Sequence, residues 1–367
     1  MIRSPESWQA IVHSAFIPFS IAVVAALVLT SLVRPLALRV GMIDQPGPRK
    51  VHAKPMPLLG GVAIYLGAAL ALLVSLHSRT YAQVAGILAG ATLLLIIGLL
   101  DDRGLLHPQI KLFLGTPAAA LILLAAGIKT QVFSSLLPAQ VALLANALLT
   151  IFWVVGITAA FSILDHMDGL CAGVAAFASA FFLTFAIGSG QELVSNLAAA
   201  VFGAAVGFLR WNFNPAKIFM GDAGAMFLGF ILATLSLKLR LTEYPRLLTV
   251  MIPVLILGVP VFDTLLICVS RARRGLIPFT SPGQDHTAHR LANLGLGQRG
   301  AVLGIYGAGV VFGILALVAS RLKLTGNHVL AALLVLGAML AVVGLERAPF
   351  ERQTSANSPS VTNPEQR

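Results

Sequence analysis

Charge is scarce in this chain, and acid is scarcer still: 14 Asp and Glu among 367 residues, with 11% charged in all. A soluble globular domain carries about 25% charged residues, so an ordinary water-soluble fold is excluded. Cysteine is nearly absent. Cys171 and Cys268 both fall inside apolar runs, which argues against a structural disulfide and leaves no metal-ligand spacing. No internal repeat is evident, which weakens a transporter built from inverted repeats. The stretch from Pro349 to Arg367 lacks apolar residues to bury and is rich in Ser, Asn, Pro, Glu and Gln, so residues 347–367 are expected to form a disordered tail.

What the chain has is apolar length. It is 57% hydrophobic with mean hydropathy +0.90, the composition of an all-α integral membrane protein. One membrane crossing takes about 20 apolar residues. Eleven segments qualify: 16–33, 58–76, 83–100, 110–127, 141–163, 170–188, 193–209, 224–240, 247–270, 300–319 and 328–345. Residues 1–346 thus read as a single polytopic bundle. Segment 224–240 is the weakest, because Lys238 and Arg240 fall at its end. The first is flanked by Arg3, Glu6 and Trp8 before and Arg34 and Pro35 after, with no small-residue cleavage site, and is read as a retained helix.

Most of the 25 Lys and Arg fall in alternate connections when the amino terminus is placed outside. The positive-inside bias then puts the carboxyl terminus in the cytoplasm. Every chemistry-bearing motif falls in those same connections, so all are expected on one cytoplasmic face. The net charge of +11 suits this topology and also attracts anionic lipid and anionic substrates.

The first of these connections runs from Asp44 through Arg49, Lys50, His52 and Lys54 to Gly60-Gly61. Its prolines forbid a continuous helix, and it reads either as a diphosphate clamp with Lys50 as point charge or as a plain positive-inside loop. The next carries Asp101-Asp102-Arg103, His107 and Lys111. Adjacent carboxylates at a dry helix end raise each other's pKa unless a cation balances them. Magnesium, Arg103 or Lys111 can serve; a solvated cap paired with Arg103 is the plain alternative. Asp165 and Asp168 lie three apart, which on a helical turn puts them on one face, and a boundary carboxylate is costly if unpaired. Asp222 sits between glycines, after Asn214-Pro-Ala and Phe219. The longest connection ends in His286-x-x-His289-Arg290-Leu291. Two histidines alone are a weak zinc signal, and beside Arg290 they read better as donors to phosphate. Asp263 lies inside an apolar segment, open to two readings: a member of the site or a buried structural acid.

In this order the motifs resemble the polyprenyl-phosphate N-acetylhexosamine-1-phosphate transferase family. The matching elements are Arg49-Lys50-x-His52 with Pro57 and Gly60-Gly61, Asp101-Asp102 with Pro108 and Lys111, Asp165-x-x-Asp168-Gly169-Leu170, Asn214-Pro-Ala with Phe219-Met-Gly-Asp222, Pro260-x-x-Asp263, and His286-x-x-His289-Arg-Leu. The His-x-x-His ending looks more like the O-antigen and teichoic acid branch than the peptidoglycan translocase. The resemblance implies an all-helical bundle with a cytoplasmic active-site cleft in the cell (inner) membrane. It also implies transfer of a HexNAc-1-phosphate, most simply GlcNAc-1-phosphate, from a UDP-sugar to undecaprenyl phosphate, with release of UMP. Magnesium, replaceable by manganese, is the implied cofactor, held by Asp222 with Asp165 nearby. Asp101 and Asp102 would orient or deprotonate the lipid phosphate. Lys50, His52, Asp168, Asn214 and Phe219 would bind substrate, the Phe219 ring stacking on uracil. His286, His289 and Arg290 would steady phosphate oxygens. A homodimer is a plausible assembly by the same resemblance, and no nucleic-acid partner is expected.

The sequence departs from the family at three places. Ser162 stands where the family usually has Asn, His166-Met167 where it has Gly-Leu, and Ala288 where it has a further His. His166 is therefore expected to reshape the nucleobase pocket. An active enzyme with altered donor specificity is the favoured reading. A degenerate paralogue that binds lipid phosphate, and a transporter using the acids as a cation path, are the alternatives.

Overall fold

The computed structural model describes residues 5–46, 55–75, 80–241, 246–277, 283 and 285–348. Within them the chain is helical almost throughout, as it must be where lipid offers no partner for backbone polar groups. The helices are α1 (Pro5–Arg39), α2 (Gly60–Val74), α3 (Tyr81–Asp102), α4 (Pro108–Ile110), α5 (Thr116–Ala125), α6 (Ala139–Leu164) and α7 (Leu170–Gly188). They continue as α8 (Glu192–Asn212), α9 (Gly221–Lys238), α10 (Arg246–Ile256), α11 (Gly258–Arg273), α12 (Thr287–Leu291), α13 (Gly297–Ala319) and α14 (Leu324–Glu346). A π-helical turn at Lys111–Gly115 joins α4 to α5, and another at Ala292–Leu296 joins α12 to α13.

Eight helices among the described residues are long and apolar enough to cross a bilayer. Leu248–Ile256 and Gly258–Arg273 make a ninth if taken as one span, but they meet at 82°. The straight crossing expected over 247–270 is thus broken. Pro253 lies inside α10, and Gly258 and Pro260 open α11, so the helical ladder is interrupted where the bend occurs. Gly60–Val74 and Lys111–Ala125 are apolar but shorter.

The segment that reads weakest in sequence turns out to be central. α9 is buried along almost its whole length, surrounded by α2, α3, α6, α7 and α8, whereas α14 is almost wholly exposed. A helix enclosed by protein has no lipid to satisfy and tolerates Gly, Thr and Ser. α1 packs on α8 and α2, and α13 on α10 and α7.

Backbone approach at one end of α9 is unusually close. A Cβ added at Gly61 would lie 2.2 Å from the Gly224 nitrogen, and one at Gly98 would lie 2.4 Å from the Ala223 backbone. Absent side chains let α2 and α3 converge on the start of α9. Strands β1 (Ile43–Asp44) and β2 (Met56–Pro57) pair antiparallel and so bring together the two ends of the first motif-bearing connection. From there Pro57 O accepts the Phe219 N–H at 2.9 Å, and Phe219 O accepts the Gly60 N–H at 3.0 Å.

Candidate active site

The carboxyl end of α3 meets the amino end of α9, and this junction organises the site. Asp102 Oδ1 accepts the Asp222 N–H at 2.8 Å, and its Oδ2 accepts the Ala223 N–H at 3.3 Å. These are two of the amides that a helix start leaves without intrahelical partners. Gly221 has φ +68°, and a Cβ there would fall 2.3 Å from Asp102 Oδ2, so both backbone and space demand glycine. Lys111, at the α4–α5 junction, donates to Asp101 Oδ2 at 2.7 Å and to Asp222 Oδ2 at 2.6 Å. Ser162 Oγ donates to Asp222 Oδ1 at 2.5 Å. The cation that balances the acid pair is therefore Lys111, and it spans Asp101 and Asp222. Arg103 turns aside, its Nε donating to Met42 Sδ at 3.1 Å.

Asp165 ends α6 as its C-cap. Burial first, then the charges of Asp222, Asp102 and Asp168, push its carboxyl well above the usual carboxylate range. Each of these influences acts in the same direction, and no cation among the described residues offsets them. Three residues on, Asp168 Oδ2 accepts the Asn214 Nδ2 at 2.9 Å and the Ala216 N–H at 3.0 Å. Asn214 is held from the other side by Arg299, which donates to its side-chain oxygen at 2.9 Å and its carbonyl at 2.8 Å. Asn212 is buried between the two turns, accepting the Gly169 N–H at 3.1 Å and donating to Ile218 O at 3.0 Å.

A third group comes from the last motif. Asp263 is buried and accepts His286 Nδ1 at 2.9 Å and the Thr287 N–H at 2.8 Å. Of its two readings, the structure makes it a buried acid that orients a site histidine. The His166 ring packs against the last motif, stacking on His289 at 4.6 Å and 21° and lying 4.1 Å from His286. Burial, then the neighbouring His286 and His289, push the His166 imidazole well below its usual pKa, so it is neutral.

The expected phosphate donor Arg290 is not at the mouth. It is fully buried, its Nε donating to Asp285 O at 2.9 Å, one terminal nitrogen to Leu345 O at 2.5 Å, and the other to Ser270 Oγ and Glu346 Oε1, each at 2.8 Å. This guanidinium ties the His286–Leu291 segment to the end of α14, because a wholly desolvated fork must spend its N–H groups internally. Asp285 beside it pairs with Arg271 at 2.8 Å and with Arg274. Burial alone would raise the Asp285 carboxyl; its hydrogen bonds to Arg271 and Arg274 outweigh that and hold it well below the usual range.

Among the described residues no three or more His, Cys, Asp or Glu form an all-protein cage. Magnesium seldom needs one: it takes one or two carboxylates and completes its shell with water and phosphate oxygen. Asp165, pressed by three other carboxylates, with Asp222 beside it, fits that mode.

Comparison with known proteins decides the family. The Glycosyl transferase family 4 signature matches residues 84–240, from within α3 to just past α9. A probable undecaprenyl-phosphate N-acetylglucosaminyl 1-phosphate transferase of Bacillus subtilis is 37% identical over 305 residues, covering 82% of this chain and 84% of the relative. This chain belongs to glycosyl transferase family 4. A decaprenyl-phosphate N-acetylglucosaminephosphotransferase of Mycolicibacterium smegmatis is 33% identical, covering 76% of this chain and 75% of its own. An undecaprenyl-phosphate alpha-N-acetylglucosaminyl 1-phosphate transferase of Yersinia pestis is 26% identical over 86% of this chain and 87% of its own. The chain is accordingly a transferase of the membrane.

For a family 4 member, the sequence motifs converge into one connected cluster at a single end of the bundle. Asp101, Asp102, Asp165, Asp168, Asn214, Asp222, His286 and His289 all join it. Phe219 is fixed beside it by pairing with Pro57 and Gly60. Lys50 and His52 lie outside the described residues. Sequence reasoning missed Arg299, Asn212 and Tyr306, whose hydroxyl donates to Gly169 O at 2.6 Å. No local pattern marks these residues, which act only across the fold. Ser162, one of the three departures, donates to Asp222.

Proposed function

We propose that this transferase moves a HexNAc-1-phosphate, most simply GlcNAc-1-phosphate, from a UDP-sugar to undecaprenyl phosphate and releases UMP. Lys111 held between Asp101 and Asp222, with Asp165 adjacent, is the observation that carries this reading. The names of the relatives, undecaprenyl- and decaprenyl-phosphate N-acetylglucosamine-phosphate transferases, support the lipid and sugar classes. In this reading the bundle crosses the cell membrane eleven times, α2 and Lys111–Ala125 included. The amino terminus lies outside, and the site end faces the cytoplasm, where UDP-sugars are made.

A lipid phosphate oxygen is already a nucleophile, so the residues have to neutralise charge and align the reactants. It attacks the phosphorus that carries the sugar; the bridging P–O bond breaks, and UMP leaves with the electron pair. Lys111 faces the lipid phosphate. Beside it lies a mainly apolar cavity lined by Leu112, Thr116, Thr158, Ala159, Ile163 and Met226, with Lys111 and Ser162 at its wall, a lining suited to the first isoprene units. Asp101 and Asp102 keep Lys111 and the start of α9 in place, and His286 and His289 face the departing phosphates. Asp165 and Asp222 would hold magnesium, which when bound neutralises the donor diphosphate.

The test is purified protein with undecaprenyl phosphate, magnesium and radiolabelled UDP-GlcNAc. Release of UMP matched by a lipid-linked sugar diphosphate is expected. No UMP with UDP-GlcNAc, UDP-GalNAc or related donors would sink the reading.

A further inference from the structure

His166 occupies the turn between Asp165 and Asp168, and its ring is set against two histidines far along the chain. It lies 4.1 Å from the His286 ring and 4.6 Å from the His289 ring, closer to each than their 5.8 Å from one another. Its Nδ1 is 3.0 Å from Ile163 O, so that nitrogen carries the hydrogen and donates to the carbonyl. His286 is fixed in turn by Asp263, at 2.9 Å from its Nδ1. Stacked rings direct their in-plane lone pairs side by side, so the cluster is not a chelate for one ion, in keeping with the lack of a metal-type group among the described residues. Two ring nitrogens, His166 Nε2 and His289 Nδ1, are buried with no hydrogen-bond partner among the described residues. Orphaned buried polar atoms in a native site call for an occupant.

We propose that His166 is a positioning residue for the sugar-nucleotide donor. Its ring locks the His286–His289 pair in the orientation that receives the donor's phosphates, and so ties the Asp165–Asp168 turn to the histidine segment. The proposal rests on the transferase reading above. Flat-ring stacking is what the position needs, and a ring supplies it whether or not it carries nitrogen.

The experiment is steady-state kinetics of UMP release for the wild type, His166→Gly and His166→Phe, varying UDP-GlcNAc and undecaprenyl phosphate separately. His166→Gly is expected to raise the donor KM about tenfold, to leave the lipid KM unchanged, and to reduce kcat by no more than about threefold. His166→Phe is expected to bring the donor KM back to within about threefold of wild type. Should His166→Gly not fold, His166→Asn replaces it with the same expectation. A donor KM within twofold of wild type in the ringless variant, equal rises in both KM values, or no rescue by Phe would each overturn the inference while wild-type turnover stands. No wild-type UMP release would overturn both this inference and the transferase reading.

Discussion

Asp102, the last residue of α3, accepts the backbone N–H of Asp222 at the first turn of α9, 2.8 Å away. One carboxylate thereby caps the central helix and sets where a second carboxylate points. Asparagine keeps one acceptor oxygen but turns an NH2 toward the second amide, whereas alanine removes both acceptors, at about 1 kcal/mol for a lost cap. Asp102→Asn should therefore lower the unfolding temperature in detergent by less than Asp102→Ala does. Equal unfolding temperatures for the two variants would refute the capping role; a loss of turnover in the stable Asn variant would show that the charge is needed as well.

Lys111 bridges Asp101 and Asp222 at 2.7 and 2.6 Å, and its removal leaves two acids side by side with no cation between them. Lys111→Met is expected to cut turnover by on the order of 10²-fold or more, the usual scale for losing one preorganised charge. Lys111→Arg should recover part of it. Turnover near wild type in the Met variant would remove Lys111 from the mechanism.

Asp222→Asn keeps the shape of the side chain but discharges the group that Lys111 and Ser162 both address. Turnover should be abolished, with magnesium in excess making no difference. Normal rates would take Asp222 out of the metal role.

The approach of α3 to α9 leaves no room at Gly98, where a Cβ would lie 2.4 Å from the Ala223 backbone. Gly98→Ala should cost about 1–3 kcal/mol by overpacking and should displace Asp101 and Asp102 together. A lower unfolding temperature accompanied by reduced turnover is the expected pair of readings. Wild-type values for both would mean the two helices separate at no cost.

Asp285 is buried between Arg271 and Arg274. Its folded pKa lies below the ordinary carboxylate value, so its stabilisation is fully present above about pH 4. It is lost only as pH falls through the lower folded value. Asp285→Asn should cost about 3–5 kcal/mol by removing the buried counter-charge that Arg271 and Arg274 share, equally at pH 5 and pH 8. A penalty that shrinks between those two pH values would contradict the assignment.

Much of this protein was legible before any coordinates. Hydrophobic runs longer than a bilayer is thick leave the chain little choice but helix, and the parity of the charged connections gathers the acids and histidines at one end. In the fold, hydrogen bonds of Asp168, Asp222 and His286 join residues far apart in the chain. What local pattern does not carry is helix rotation and approach. Asp101 and Asp222 are 121 positions apart in the chain, and only the glycine-tight meeting of α3 with α9 makes Lys111 their shared partner. The same holds for Arg290. As a sequence element it resembles a phosphate ligand, yet the end of α14 arrives to absorb its donors inside the fold. The 82° break between α10 and α11 and the stacking of His166 on two distant histidines also belong to the tertiary structure. The reason is physical: composition sets which solvent each segment prefers, while pairing of buried polar groups depends on distances that exist only once the helices have packed.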